Sequence, residues 1–245
     1  MAKVALVVAC LNNFEEFTEL VASAKVYKNE LRIYPQLQNR HQVPLSKAWN
    51  NGIREAIADG CEYVIVSNDD VLFASFTIDE MVKQASSLLA NYKLDGSAKE
   101  PVLFAPLDVA ETFDDPLEII WSKKSTEFKY HEQELFSCFM ITPRTVELVG
   151  TFDENFDPAW FEDNDFHRRI NLLGYDVQKF KIPYIHRGST STKKLTRVLN
   201  SNISQQYYTR KWGSCNRNLE LDGEVFKYHP YNDPNLTPKD WIQGR

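Results

Sequence analysis

The run "VALVVAC", residues 4–10, is the feature that most narrows the fold. Seven consecutive apolar residues, rich in β-branched side chains, leave no face to turn toward water. A strand of this kind must be covered on both sides, as a central parallel strand is. "CEYVIV" at 61–66 repeats the pattern. Between the two, Phe14, Phe17, Val21 and Ala24 recur at helical spacing and predict an inward helical face. "LRIYPQL" at 31–37 predicts a second strand whose end Pro35 calls into question. From Ser46, "SKAWNNGIREAIADG" places Trp49, Ile53, Ala56 and Ile57 on one helical face, with Gly60 as the stop.

The second half predicts a helix near 78–92, strands at 102–107, 135–143 and 177–186, and a short helix over "TVELVG". It also predicts a helix carrying Phe166, Ile170 and Leu173, and a last helix at 195–212. Strands alternating with helices imply right-handed crossovers, so the class is α/β, Rossmann-like, with a mainly parallel central sheet flanked by helices. The expected organisation is one domain over 1–212, ending in a C-terminal helix, and an irregular extension over 213–245 packed on it.

A hydrophobic share of 43% supports a substantial core, and a formal net charge of -6 argues against a surface that tracks phosphates nonspecifically. The four cysteines are scattered, with no CxxC pair, which favours a reduced, cytoplasmic setting. "MAKVALVVACL" begins like a secretory signal, but its apolar run is short and acidic "NNFEEF" follows. No stretch reaches the roughly 20 apolar residues of a bilayer span, so no transmembrane segment is expected. Neither GxGxxG nor GxxxxGK[ST] occurs, which removes the two commonest nucleotide-binding loops.

Three constellations carry chemistry. In "SNDDVLF", residues 67–73, Asn68, Asp69 and Asp70 stand where a buried strand ends. Ligands bind at such ends in open α/β sheets, and hard oxygen donors suit Mg²⁺ or Mn²⁺; a capped turn would also use these residues. In "FDENFDPAWFEDNDFHRRINLLGY", residues 152–175, six acidic residues fall between Asp153 and Asp165. Asp163 or Asn164 is placed to cap the next helix, which would keep Asp163 ionised as a general base must be. Asp165 precedes Arg168 and Arg169 by three and four residues, which predicts an ion pair along the helix. In "IPYIHRGSTSTKK", residues 182–194, His186 ends a strand and a Ser/Thr/Gly loop with Lys193 and Lys194 follows. The His can complete a metal site and the loop can close on a diphosphate.

Taken together and in this order, the three blocks resemble the family 2 glycosyltransferases and related inverting enzymes of the GT-A fold, rhamnosyltransferase-like and small phage-type members above all. "SNDDV" is similar to the DxD-type element, with Asn68 and Asp70 as its outer positions. "FDENFDPAWFEDNDFHRRINLLGY" resembles the FDE…EDxDxxxR…GY block, and "IHRGSTS" the HxGS-type segment. "SKAWNNGIREA" is similar to the family's N-G…A helix, with Asn51 and Gly52 matching. The resemblance covers about residues 3 to 212. Two departures stand out: the usual Asp-rich turn after the second strand is replaced by "YPQLQNRHQ", with Asn39, and the first DxD position is an amide.

The resemblance implies transfer of a sugar from a nucleotide-diphosphate sugar to an acceptor hydroxyl, with inversion. Asp163 would be the base with Glu162 beside it, and Asp70 and His186 would hold Mn²⁺ or Mg²⁺. Donor contacts would come from Asn12, Asn39, Asn51, Asn68, Asp69, Arg187, Ser189 and Lys193. The acceptor would be a glycan or other hydroxyl compound, with a modified DNA base also open. Arg197, Arg210, Lys211 and Arg217 would permit a nucleic acid, which the acidic total does not favour, and Trp212, Tyr228, Tyr231 and Trp241 either stack on sugars or bases or simply pack across the domain. A catalytically silent binder of carbohydrate or nucleotide sugar is the alternative.

Overall fold

A computed structural model describes residues 1–11, 14–37, 43–94, 98–131, 136–188 and 201–212. Strand β1 (Lys3–Cys10) leads to helix α1 (Phe14–Ser23), β2 (Glu30–Leu37), α2 (Leu45–Ala58) and β3 (Tyr63–Asn68). Then come β4 (Val71–Phe73), α3 (Thr77–Leu94), β5 (Pro101–Asp108), α4 (Pro116–Ser122) and β6 (Cys138–Ile141). The order closes with α5 (Pro143–Val149), α6 (Glu162–Leu172), β7 (Asp176–His186) and α7 (Ser201–Trp212).

The seven strands form one sheet in the order β2-β1-β3-β6-β5-β7-β4. β1 runs parallel to β2 and β3, and β5 parallel to β7, while β6 is antiparallel to β3 and β5, and β4 to β7. Five strands therefore share one direction and two oppose it, so the sheet is mostly parallel.

The unbroken apolar run of β1 follows from burial on both faces. Val4, Leu6 and Val8 join the core under α1 and α3, with Leu20, Ile78 and Met81. Ala5, Val7 and Ala9 face the opposite layer, with Trp49 and Ile53 of α2, Val149 of α5, and Phe166 and Ile170 of α6. Alternate residues of a strand point to opposite faces, so both sets must be apolar. Gly52 brings α2 close: a Cβ there would sit 2.4 Å from Val7 Cγ1. α2 ends as the sequence predicts, with Gly60 at φ +76° and its N–H donating to Ile57 O at 3.0 Å.

Some expectations need correction. Pro35 does not end β2; it pairs in register with Val8, which an edge strand tolerates because no further partner needs its missing N–H. Phe14 is 65% exposed, because the first residue of α1 lies beyond the end of β1 and off the core. Leu173 follows the end of α6 and is half-buried. β4 and α4 were not anticipated; they form a small cluster of their own, with Leu72, Ile120, Phe128 and Ile185 buried together. The first six residues of the helix expected over 195–212, and the extension 213–245, lie outside the described residues. Among the described residues no helix is long and apolar enough to cross a membrane.

Candidate active site

The parallel strands β1, β3, β5 and β7 bring their carboxyl ends to one edge of the sheet, and β4 and β6 begin there because they run the other way. "SNDDVLF" is the turn from β3 into β4. Val71 pairs with His186 and the Arg187 N–H donates to Asp70 O at 3.0 Å, so the β4–β7 ladder carries Asp70 against the end of β7. There Asp70 Oδ1 lies 3.2 Å from His186 Nε2. Asp69 turns elsewhere: its Oδ2 accepts the Leu11 N–H at 3.1 Å and clamps the end of β1. Asn68 closes β3, with its N–H donating to Ser137 O at 2.9 Å.

Asp108, at the end of β5, completes this edge. Its Oδ1 accepts the His186 N–H at 2.8 Å. Burial raises the Asp108 carboxyl, and its contacts with His186 only partly oppose that. Burial pulls the His186 imidazole down, but the hydrogen bond it donates to Asp70 and the charges of Asp70, Asp108 and Asp69 outweigh it and leave the group raised. The sequence reading stopped this strand at residue 107 and missed Asp108. The signal was the one used for Asp70, an acid directly after a buried run.

Arg187 does not stand open to a ligand in the described structure. Its guanidinium donates to Glu16 at 2.8 Å and also to Glu19, fastening α1 to the end of β7. Asn51 accepts from Arg54 at 2.6 Å on α2. Asn12, Asn39, Ser189, Lys193 and Lys194 lie outside the described residues, as do Arg197, Arg217, Tyr228, Tyr231 and Trp241.

α6 leads through a short turn into β7 and packs on it, so its first turn points to the same carboxyl edge. Neither Asp163 nor Asn164 caps it. The cap position is Phe161, in a left-handed conformation at φ 69°, preceded by Trp160 at φ 72°. Two successive non-glycine residues there cost about 1–3 kcal/mol each, and such strain gathers at functional turns. The acids instead occupy the first turn itself, where the helix N–H groups favour negative charge. Asp163 Oδ1 accepts the Asn164 N–H at 2.7 Å. Glu162 is buried, and burial first, then the neighbouring Asp163, push its carboxyl well above the usual range.

Behind this turn lies an ion network. Asp165 accepts from Arg169 Nε at 3.0 Å, the pair expected along the helix, and from Trp212 Nε1 at 2.8 Å. Lys211 bridges Asp165 at 2.7 Å and Asp153 at 2.5 Å, with all three side chains buried. Burial raises the Asp165 carboxyl, but Lys211 and Arg169 prevail and hold it below the ordinary value. Lys211 and Trp212 are therefore internal struts of α7, and neither is exposed to a nucleic acid or a sugar.

Comparison with known proteins places the fold. No family model matches the chain. The catalytic domain of Drosophila β-1,4-galactosyltransferase 7, in complex with xylobiose, superposes with a TM-score of 0.53 at 16% identity, covering 86% of this chain and 80% of that one. A mutant of the same enzyme with manganese, UDP-Gal and xylobiose gives 0.53 at 15% identity over the same shares. The fold is GT-A.

A GT-A neighbour, GalNAc-T7 with UDP, GalNAc and Mn²⁺, matches at 0.52 and 10% identity, covering 76% of this chain and 44% of that one. By sequence, a galactofuranosyl glycosyltransferase of Leishmania donovani is 24% identical over 178 residues, 57% of this chain. The chain spans only 39% of that relative's length.

Two of these GT-A structures hold manganese, so the fit of the ion can be judged on the residues here. Among the described residues no group of three or more His, Cys, Asp or Glu is arranged to hold a metal. Asp70 and His186 supply one hard oxygen and one imidazole nitrogen, 3.2 Å apart and both largely buried. Such a pair suits Mn²⁺ or Mg²⁺ when substrate phosphates complete the shell.

Proposed function

We propose that this chain is an inverting glycosyltransferase that takes its sugar from a nucleotide diphosphate, with a uridine nucleotide the first donor to try. One juxtaposition carries the reading. The Asp70–His186 pair and the acidic first turn of α6 face the same edge of a GT-A sheet. The relatives with manganese and uridine nucleotides support it.

In this reading Asp163 accepts the proton of an acceptor hydroxyl. The freed oxygen attacks the anomeric carbon as the bond to the diphosphate breaks, and the bonding electron pair leaves with the phosphate. Attack opposite the leaving group inverts the centre. A divalent cation held by Asp70 and His186 would offset charge on the departing diphosphate. Asp69, Asp108 and Arg187 keep the strand ends and α1 in place around that pair. A glycan hydroxyl is the acceptor we propose, in keeping with the xylobiose complexes; a modified DNA base has no counterpart among these relatives.

The test is a panel of nucleotide sugars with Mn²⁺, read as transfer and as donor hydrolysis. Asp163→Asn is expected to cut transfer by about 10³-fold while nucleotide binding persists, the size of a lost general base. Equal turnover by the variant would refute the assignment. Nucleotide binding by the wild type with neither transfer nor hydrolysis would favour a silent binder.

A further inference from the structure

Among the described residues, three buried polar atoms stand without a hydrogen-bond partner around the first turns of α2 and α6: Ser46 Oγ, Trp49 Nε1 and Glu162 Oε2. These turns meet. Leu45 N–H donates to Pro158 O at 3.0 Å, just before α6 begins. Ser46 and Trp49 share a face of α2, three residues apart, and Glu162 shares a face of α6 with Phe166, four residues on. The two faces close on one ring: Phe152 lies 5.1 Å from Trp49 and 4.5 Å from Phe166. No cation among the described residues pairs with Glu162, which is buried beside the carboxylates of Asp163 and Asp165. A carboxyl so placed is stable only when uncharged, and it then carries an O–H to donate.

We infer that Ser46, Trp49 and Glu162 form a buried subsite for a single hydroxyl-type oxygen, with Glu162 acting uncharged. The hydrogen-bond count fits one guest. Trp49 Nε1–H and the Glu162 O–H donate into the two lone pairs of a hydroxyl, and its proton goes to Ser46 Oγ. Glu162 adjoins Asp163, so the guest sits beside the proposed base. It is either a hydroxyl of the acceptor, an identification that rests on the transferase reading, or an ordered water, which does not. Glu162 in either case is a hydrogen-bond donor, and the proton of the reaction goes to Asp163 alone.

The experiment compares Ser46→Ala, Trp49→Phe, Glu162→Gln and Glu162→Ala in the full chain, reading thermal midpoint, kcat and acceptor KM. An acceptor hydroxyl predicts acceptor KM raised about tenfold by each deletion, the worth of one lost hydrogen bond, with the thermal midpoints of Ser46→Ala and Trp49→Phe unmoved. Water predicts lowered midpoints with KM unmoved. In both cases Glu162→Gln, which keeps a donor, is milder than Glu162→Ala and keeps far more transfer than Asp163→Asn. The inference is overturned if Glu162→Gln is as dead as Asp163→Asn, since Glu162 then works as an anion. It is also overturned if Ser46→Ala and Trp49→Phe leave both midpoint and KM unchanged. The transferase reading fails separately, if the wild type transfers nothing, and the midpoint measurements then still decide for or against water.

Discussion

Aspartates that look alike in "SNDDV" and "FEDND" do different work because their neighbours differ. Asp69 binds a backbone N–H, Asp70 meets an imidazole, and Asp165 is neutralised by two cations. Lys211 shows how far such charges depend on one another. Lys211→Met would leave Asp153 without its cation in the core, and the expected loss is about 3–5 kcal/mol in urea denaturation. Lys211→Met combined with Asp153→Asn is expected to recover part of that loss. Glu162 makes a pH prediction. Its folded-state pKa is raised well above the ordinary 4.5, so between those two values the native chain holds a proton that the unfolded chain has lost. Stability from this group is present below 4.5 and is lost as pH rises through the folded value. Glu162→Gln has no such loss, so its stability relative to wild type should climb with pH; a difference flat from pH 4 to 9 would contradict this.

Among the elements, contact between α2 and β1 rests on Gly52. Gly52→Ala would push a methyl into Val7 and is expected to cost about 1–3 kcal/mol. Adding Val7→Ala should cost less than the sum of the two single changes, as a double-mutant cycle would show. Elements with a strong local signal were legible in the chain: β1, β3 and β5 from apolar runs, α2 from its face and its glycine stop. β4 was not. Three residues are too few to show a period, and β4 exists because β7 is there to pair with it. The cap of α6 was misread for a related reason. Asp163 and Asn164 are good caps by residue type, but Phe161 is seated against Tyr208 of α7, with rings 5.3 Å apart, and the helix starts behind it.

For the molecule as a whole, the carboxyl edge of the sheet, if it holds the donor as proposed, should respond to that ligand as a unit. Uridine diphosphate with Mn²⁺, at about 100 times its Kd, should stabilise the fold by about 2.7 kcal/mol in a thermal-shift assay. Removing Mn²⁺, or replacing Asp70 with Asn, should weaken that shift; an identical shift without the ion would count against the cation role of Asp70 and His186. Pattern along the chain was enough for the alternation of strands and helices, the burial of β1 on both faces, and the acidic, strand-end and histidine blocks, because these are local regularities of spacing and residue type. What stayed hidden was which acid touches which partner. The 3.2 Å approach of Asp70 to His186 joins residues 116 positions apart through the antiparallel β4–β7 pairing. Lys211 reads as a surface cation until α7 folds onto α6 and removes it from water. Burial and charge pairing are properties of the packed chain, and no local pattern encodes them.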